Sequence, residues 1–329
     1  MRQFIYLTTL SIFGLTACTS EYKKAERGLE YKIIGNGRGN KVAYGNFLQM
    51  HTKQIYQGSN MDTVLVDSRD IMPEIERYDS LSYPRDLFKI FGQVRKADSL
   101  VLRLSADSIF GSNMQPPPSF VKKGGYMYTS IKVINIFDSK AQADSAYAAE
   151  MKIAEPKIFK RQVQEVEKTL LLNKRQLEVD DKIISDYLAK NNIIASKSKW
   201  GTYVVINKEG VGDKIDNKSV VTINYSGRTL DSGRTFDSNI DPKFNHIGPL
   251  QVRTSTLGGM MLGWSDGLGQ LRKGTKATFY IPSTLAYGTV GDLKKKIKPN
   301  ANLVFDIEIV DVINEDSFDA QPKSIQKKL

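Results

Sequence analysis

Apolar and polar residues alternate in three runs toward the C-terminal end of this chain. Val221, Ile223 and Tyr225 alternate with Thr222 and Asn224, and Ala277, Phe279 and Ile281 with Thr278 and Tyr280. Leu303, Phe305, Ile307 and Ile309 repeat the pattern. A period of two is that of a strand with one buried face. Turn residues punctuate the runs at Asp231-Ser232-Gly233, Gly258-Gly259 and Lys273-Gly274-Thr275. The stretch Ser265 to Leu271 breaks the alternation. With Ser265 as N-cap and Asp266 in the first turn, it predicts a short helix. An α+β domain, an antiparallel sheet wrapped on one short helix, is therefore expected over residues 200–313.

Residues 138–199 switch period. Phe159, Val163, Val166 and Leu170 are spaced four, three and four apart, with Leu177 seven further on, which is one apolar stripe on a helix. Pro156 is expected to end or kink the helix that begins near Ala141. Asp180 is read as the cap of a further short helix that carries Ile183, Ile184, Tyr187 and Leu188 on one face. A stripe this short suits a helix packed on its own domains as well as it suits a homodimer coiled coil. The tail, residues 314–329, has no period and is expected to be disordered.

Residues 28–137 repeat the C-terminal pattern. GLEYKIIGNGRG matches GTYVVINKEGVG, each a glycine, a short strand and a Gly-rich turn. Leu48 to Thr52 are set against Thr222 to Ser226, and Val66-Asp67-Ser68 against Phe236-Asp237-Ser238. Val94 to Gly111 match Leu271 to Gly288 without a gap, as do Val121 to Phe137 and Ile297 to Ile313. Residues 28–137 thus read as a second, diverged copy of the domain at 200–313, joined to it by the helical connector 138–199. In this register His51 stands at Tyr225, Val66 at Phe236, Leu87 at Trp264, Phe110 at Tyr287 and Thr129 at Phe305, and Asp67 keeps its counterpart at Asp237.

The first residues are of another kind. Arg2 precedes an apolar run from Phe4 to Leu15 that is too short for a permanent membrane span, so residues 1–17 read as a signal peptide. Leu15-Thr16-Ala17-Cys18 resembles the bacterial lipoprotein signal, and Cys18 is the only cysteine of the 329 residues. The resemblance implies that Cys18 is lipidated, that 18–27 is a tether, and that the protein is anchored to the cell envelope facing the periplasm. Two acyl chains hold a protein on a membrane where one would not. Thr19 rather than Asp after the cysteine favours the outer membrane. The mature chain then has no thiol and no disulfide.

Removing residues 1–17 takes away one positive charge, Arg2, and leaves +10 of the original +11. The basic residues are spread along the chain without a nucleic-acid motif, so nucleic acid is not expected as a partner. The dense cluster Lys294-Lys295-Lys296 with Lys298 reads as a solvated loop. His51 and His246 have no Cys or His at ligand spacing, so no metal site is expected.

Five motifs then fall in order along about a hundred residues: INYSG with Tyr225, TFDS with Phe236 and Asp237, GWSDGL with Trp264, LAYG with Tyr287, and LVFDIEI with Phe305. On these residues the segment 200–313 resembles the FKBP family of peptidyl-prolyl cis-trans isomerases. The resemblance implies an FKBP-like sheet on a short helix, present twice, and an enzyme that turns X-Pro bonds in unfolded exported polypeptides without a cofactor. It also assigns the parts. Trp264 is the pocket floor, and Tyr225, Phe236 and Phe305 are walls. The Tyr287 hydroxyl meets a substrate carbonyl, Asp237 sits at the rim, and the Met261 backbone N–H grips the chain.

Without that resemblance, aromatics on alternating strand positions serve a core more often than a site, and Asp237 could cap a turn. Two stretches depart from the family pattern. Residues 239–254 lack the usual basic partner for the aspartate and a further pocket phenylalanine, for which Phe244 or Leu250 could substitute. Residues 258–262 carry Met260 and Met261 where the family commonly has Val-Ile. A non-enzymatic chaperone or assembly module with the FKBP shape is the alternative.

Overall fold

The structure is a computed structural model, described for residues 21–35, 39–58, 62–110 and 117–321. Cys18 and the signal peptide lie outside the described residues. The chain divides into two compact units, Met1–Ala154 and Glu155–Leu329.

Unit one contains β1 (Lys23–Lys24), β2 (Glu30–Ile34), β3 (Phe47–Gln57), β4 (Asp62–Asp67), β5 (Glu74–Arg77), α1 (Arg85–Phe91), β6 (Ser99–Ser105), α2 (Ala106–Phe110) and β7 (Tyr126–Phe137). Its strands form one antiparallel sheet in the order β1-β2-β6-β7-β3-β4, with β5 also on β3. Leu48, Met50, Leu100 and Val133 are fully or nearly fully buried against Ile90 and Phe91 of α1. Helix α3 (Lys140–Leu172) begins in this unit and runs through Ala154 into the next. It does not end at Pro156. A proline inside a helix costs one backbone hydrogen bond and a clash, and here the helix is buried on either side of it, at Ala154 and at Leu170.

Unit two continues with α4 (Lys174–Lys190), β8 (Ser196–Lys197), β9 (Tyr203–Lys208), β10 (Ser219–Thr229), β11 (Thr235–Ser238), β12 (Leu250–Arg253), α5 (Leu262–Leu268), β13 (Lys276–Ile281), β14 (Leu303–Asn314) and α6 (Glu315–Asp319). The sheet order is β8-β9-β13-β14-β10-β11, with β12 also on β10. Strand for strand, this is the order of the first sheet. The fold occurs twice, as the sequence pattern implied.

The ladders also fix which residues correspond, and they correct the sequence register in two strands. Strand β10 shifts register against β14 between Thr222 and Ile223, and β3 shifts against β7 between Gln49 and Met50. Aligned on these bulges, Thr52, not His51, stands at Tyr225. A second pair of bulges, between Gly227 and Arg228 and between Gln54 and Ile55, puts Leu65 at Phe236 and Val66 at Asp237. Asp67 therefore corresponds to Ser238 and is not a counterpart of Asp237. It caps the turn Ser68–Asp70 instead and pairs with Arg69. The ungapped parts hold. Helix α1 ends on Gly92 as α5 ends on Gly269, which puts Leu87 at Trp264, and Thr129 stands at Phe305.

In unit two the sheet is covered on both faces. On one, α5 lies close because Gly263 and Gly267, four apart, present backbone to the sheet. A Cβ on Gly263 would stand 2.2 Å from Ile281 Cγ2, and one on Gly267 would stand 2.5 Å from Phe279 Cε2. On the other face α4 buries Ile184 and Leu188 against Tyr280 and Val304, positions that alternation alone assigned to solvent. Val166 and Leu170 of α3 join the main core of this unit, so the apolar stripe packs on its own domain.

Three local expectations fail here. Asp180 is not a cap but a fully buried residue in the middle of α4. Ser265 is not the N-cap of α5. Met261 holds that place, and Asp266 accepts from the backbone N–H groups of Trp200 and Thr202 at 2.9 and 3.0 Å. The tail is ordered as far as residue 321. Asn314 caps α6 by accepting from Asp316 N, and Phe318 is buried beside Arg253, which pairs with Glu315 and Asp319. Residues 322–329 lie outside the described residues.

Candidate functional site

Tyr225 on β10, Phe236 on β11, Trp264 on α5 and Phe305 on β14 converge although up to eighty residues separate them. Trp264 meets Tyr225 edge-on at 5.1 Å between centroids and Phe305 at 5.2 Å, and Phe236 meets Phe305 at 5.6 Å. Such edge-to-face pairs each add about 0.5–1.5 kcal/mol beyond their burial. Phe236, Trp264 and Phe305 are buried and Tyr225 is half-buried. The rings line a cavity of about 470 Å³ whose other walls are Leu250, Gln251 and Val252 of β12, Met260, Met261 and Tyr287.

The sequence explains how the rings come together. Gly227 pairs with Phe305 across the ladder, and a Cβ there would lie 2.5 Å from Phe305 Cε1 and 2.9 Å from Phe236 Cζ. Only a bare backbone lets both rings sit over β10. Met261 ends the preceding turn as the N-cap of α5, accepting from Trp264 N at 2.9 Å. Its own N–H is among those a helix leaves without an internal partner, and Met261 is one of the residues that line the cavity. Asn239, buried, pins the long 239–250 loop to the sheet. Its Oδ1 accepts from Tyr225 N at 2.6 Å, and its Nδ2 donates to the carbonyls of Ile223 and Gly248.

Asp237 stands at the rim with its side chain 13% exposed. It has two basic partners: His246 Nε2 lies 2.8 Å from Oδ1, and the Lys295 ammonium pairs with Oδ2. Burial pushes the Asp237 carboxyl up, but Lys295 and His246 outweigh it and hold the group below its ordinary value. Burial lowers Lys295 in the same way, and Asp237 with the neighbouring phenols turns the net shift upward. Tyr225 is pushed up to about 12, first by burial and then by the Asp237 charge.

Lys295 is therefore not part of a solvated loop. Arg234, just ahead of β11, donates to the carbonyls of Lys295 and Lys296 at 3.0 and 2.6 Å, and Lys295 N donates to Asp292 Oδ1. Residues 239–254 do supply a basic partner for Asp237, His246, and the second, Lys295, comes from 58 residues away. Of the two candidates for the extra apolar wall, Leu250 lines the cavity, and Phe244 ends a short turn outside its lining.

Comparison with known proteins bears on this pocket. Residues 212–310 match the sequence model of the FKBP-type peptidyl-prolyl cis-trans isomerases. FK506-binding protein 2 of Candida glabrata is 35% identical over 125 residues, which are 36% of this chain and 88% of that protein. The chain belongs to the FKBP family. A probable FKBP-type peptidyl-prolyl cis-trans isomerase FkpA of Neisseria meningitidis serogroup B is 37% identical over 152 residues, 46% of this chain and 52% of that protein. The chain thus spans about half the length of the curated relatives it matches first. The crystal structure of FkpA from Escherichia coli is 27% identical, with 54% of this chain and 74% of that one covered and a TM-score of 0.34.

All seven site residues assigned by the FKBP resemblance (Tyr225, Phe236, Asp237, Met261, Trp264, Tyr287 and Phe305) line this one cavity. Sequence reading missed Lys295, His246 and Asn239. Asn239 follows TFDS directly, and an asparagine at the end of an edge strand is a signal for a pinned turn. Lys295 carried no local signal among its lysine neighbours. Among the described residues no group of three or more His, Cys, Asp or Glu could hold a metal ion, and no helix is long and apolar enough to cross a membrane.

Proposed function

We propose that this chain is a peptidyl-prolyl cis-trans isomerase and that its C-terminal FKBP domain carries the activity. Turning an X-Pro bond costs ~18–20 kcal/mol because amide resonance must be broken. The twisted carbonyl has lost that resonance and needs less hydration than the planar one. A cavity walled by rings binds the twisted form better, and binding the transition state better than the ground state is catalysis. No nucleophile, proton donor or cofactor enters the step. The proline ring sits on Trp264 between Tyr225, Phe236 and Phe305. The Tyr287 hydroxyl and the Met261 N–H donate to substrate carbonyls, and Asp237, fixed by Lys295 and His246, polarises the rim.

The observation that carries this reading is the ring cluster itself: four aromatics in edge-to-face contact around a cavity of about 470 Å³, whose charged lining residues are Asp237 and Arg253. The test is isomerisation of a proline tetrapeptide, followed without a coupling protease, on the chain from residue 19 onward. Acceleration over the uncatalysed rate that disappears in Trp264→Ala is expected. An unaccelerated rate with the peptide still bound makes the domain a binding module.

The substrates are proline-containing exported polypeptides, and lipid on Cys18 holds the protein on the periplasmic side of the cell envelope. What supports this is Leu15-Thr16-Ala17 ahead of the cysteine. Cys18→Ser is expected to leave the membrane fraction, and a variant that still pellets with membranes refutes the anchor. The first unit binds or positions and does not isomerise. At the positions of Tyr225, Phe236, Trp264 and Phe305 it carries Thr52, Leu65, Leu87 and Thr129, none of them aromatic, and Phe110 at the position of Tyr287 has no hydroxyl.

A further inference from the structure

The turn that delivers Tyr287 to the cavity is built from Pro282 to Gly288. Its 3₁₀ segment, Ser283–Leu285, opens on Pro282, which has no side chain able to cap it. The first N–H groups of such a turn need acceptors from elsewhere. Ser283 N finds Asn302 Oδ1 at 2.9 Å. Thr284 N finds the carboxylate of Asp180, 104 residues away on α4, at 3.3 Å, and the Ser283 hydroxyl donates to the same oxygen at 2.7 Å. The other Asp180 oxygen accepts from Gln176 Nε2 at 2.9 Å. Asp180 and Ser283 are both fully buried. The Ser283 carbonyl in turn accepts from Ala286 N and Gly288 N at 3.0 and 2.8 Å, the two residues that flank Tyr287. One chain of hydrogen bonds thus runs from a carboxylate on α4 to both neighbours of Tyr287.

We propose that Asp180 is a positioning residue for isomerisation: it caps the Ser283 turn from outside the 212–310 segment that defines the family and so sets where the Tyr287 hydroxyl stands. The proposal rests on the isomerase reading above. Helix α4 has a packing role of its own through Ile184 and Leu188, but packing does not require a buried carboxylate with three donors. An aspartate there makes the placement of Tyr287 depend on the seating of α4.

The experiment is a double-mutant cycle on the chain from residue 19 onward, with Asp180→Asn and Tyr287→Phe, together with NMR of ring-labelled tyrosine. Asparagine keeps the shape of the side chain and puts an amide N–H where an acceptor is needed. Asp180→Asn is expected to lower kcat/KM by roughly three- to tenfold, mostly in kcat, yet by less than about 1.5-fold when Tyr287 is already Phe, because residues that act through one another are not additive. Asp180→Glu is expected to recover part of the loss. The Tyr287 ring signals should move or broaden in Asp180→Asn. Unmoved Tyr287 signals, or losses that simply multiply in the double variant, overturn the proposal. A lower Tm with unchanged kcat does so too, since it makes Asp180 a packing residue only. If the parent chain does not isomerise, the proposed function fails and the Tyr287 signals still decide the positioning.

Discussion

Gly227→Ala adds one methyl group where the structure leaves no room for it. The position is not in the left-handed region, so the backbone tolerates alanine and the whole effect is steric. The new Cβ would lie 2.5 Å from Phe305 Cε1, 3.0 Å from Phe305 Cδ1 and 2.9 Å from Phe236 Cζ. Reaching ordinary contact requires the Phe305 ring to retreat by about 1 Å, and rings locked edge-on have no slack to absorb that. Trp264 and Phe236 bracket Phe305 at 5.2 and 5.6 Å, so the open direction is the cavity. Overpacking of this kind costs about 1–3 kcal/mol, or roughly 2–12 °C in Tm for a domain of this size. Displacement of a binding wall by about 1 Å costs up to ~100-fold in rate. A drop of at least about tenfold in kcat/KM is expected while the variant remains folded at the assay temperature. Circular dichroism melting and the tetrapeptide assay, run side by side, separate the two effects. A variant that melts lower yet turns over as fast as the parent would show that the ring cluster is core and not site.

Lys295→Met tests the rim. It leaves Asp237 with His246 as its remaining basic partner and should lower kcat/KM by roughly three- to tenfold with little change in Tm, since a partly exposed pair contributes about 1 kcal/mol or less; an unchanged rate makes Lys295 a bystander. The pH dependence of stability follows from the depressed Asp237 carboxyl. A group whose folded pKa lies below its unfolded value, here 3.8, adds stability above that value and loses it as pH falls through the folded one. The difference in urea midpoint between the parent chain and Asp237→Asn should therefore shrink as pH falls below about 4; a difference that stays the same or grows as pH is lowered from there contradicts the assignment.

The strands and the short helix were legible because alternation and turn residues agree along the C-terminal half. The seven pocket residues were legible only through their motifs, since core and site aromatics look alike on a strand. What the sequence hid has two physical sources. One is distance: Lys295 meets Asp237, and Asp180 meets Ser283, through loops and helices that no local pattern ties together. The other is the second face of the sheet. Tyr280 read as exposed because strand alternation assumes one wet face, and α4 covers that face. The expectation that a helix could end at Pro156, and the tail, misled for a related reason. Local propensity argued against helix at one and order at the other, and burial of Ala154, Leu170 and Phe318 overrode it.

The register of the repeat was misjudged by one residue in two strands, although alternation held the answer for one of them. Leu48 and Met50 are buried at 0% and 2% exposure, as are Val221 and Ile223 at 0% each. Matching core to core places Thr52, not His51, at Tyr225, because a slip of one residue turns every side chain to the other face. In β4 the run Val64-Leu65-Val66 has no alternation, and all three are substantially exposed, so only the ladder could set it. The corrected register also explains why the first copy keeps the fold without the pocket. Gln54 stands where Gly227 does, and Thr129 where Phe305 does. A side chain on β3 at that place and an aromatic on β7 exclude one another sterically, as the 2.5 Å approach at Gly227 shows. Once the glycine is lost, a small residue opposite restores packing, and restoring the pocket would take both changes together. A single Thr129→Phe in the first unit is therefore expected to destabilise it by about 1–3 kcal/mol, and Gln54→Gly with Thr129→Phe to recover part of that loss. Two additive losses in a urea melt would refute the argument.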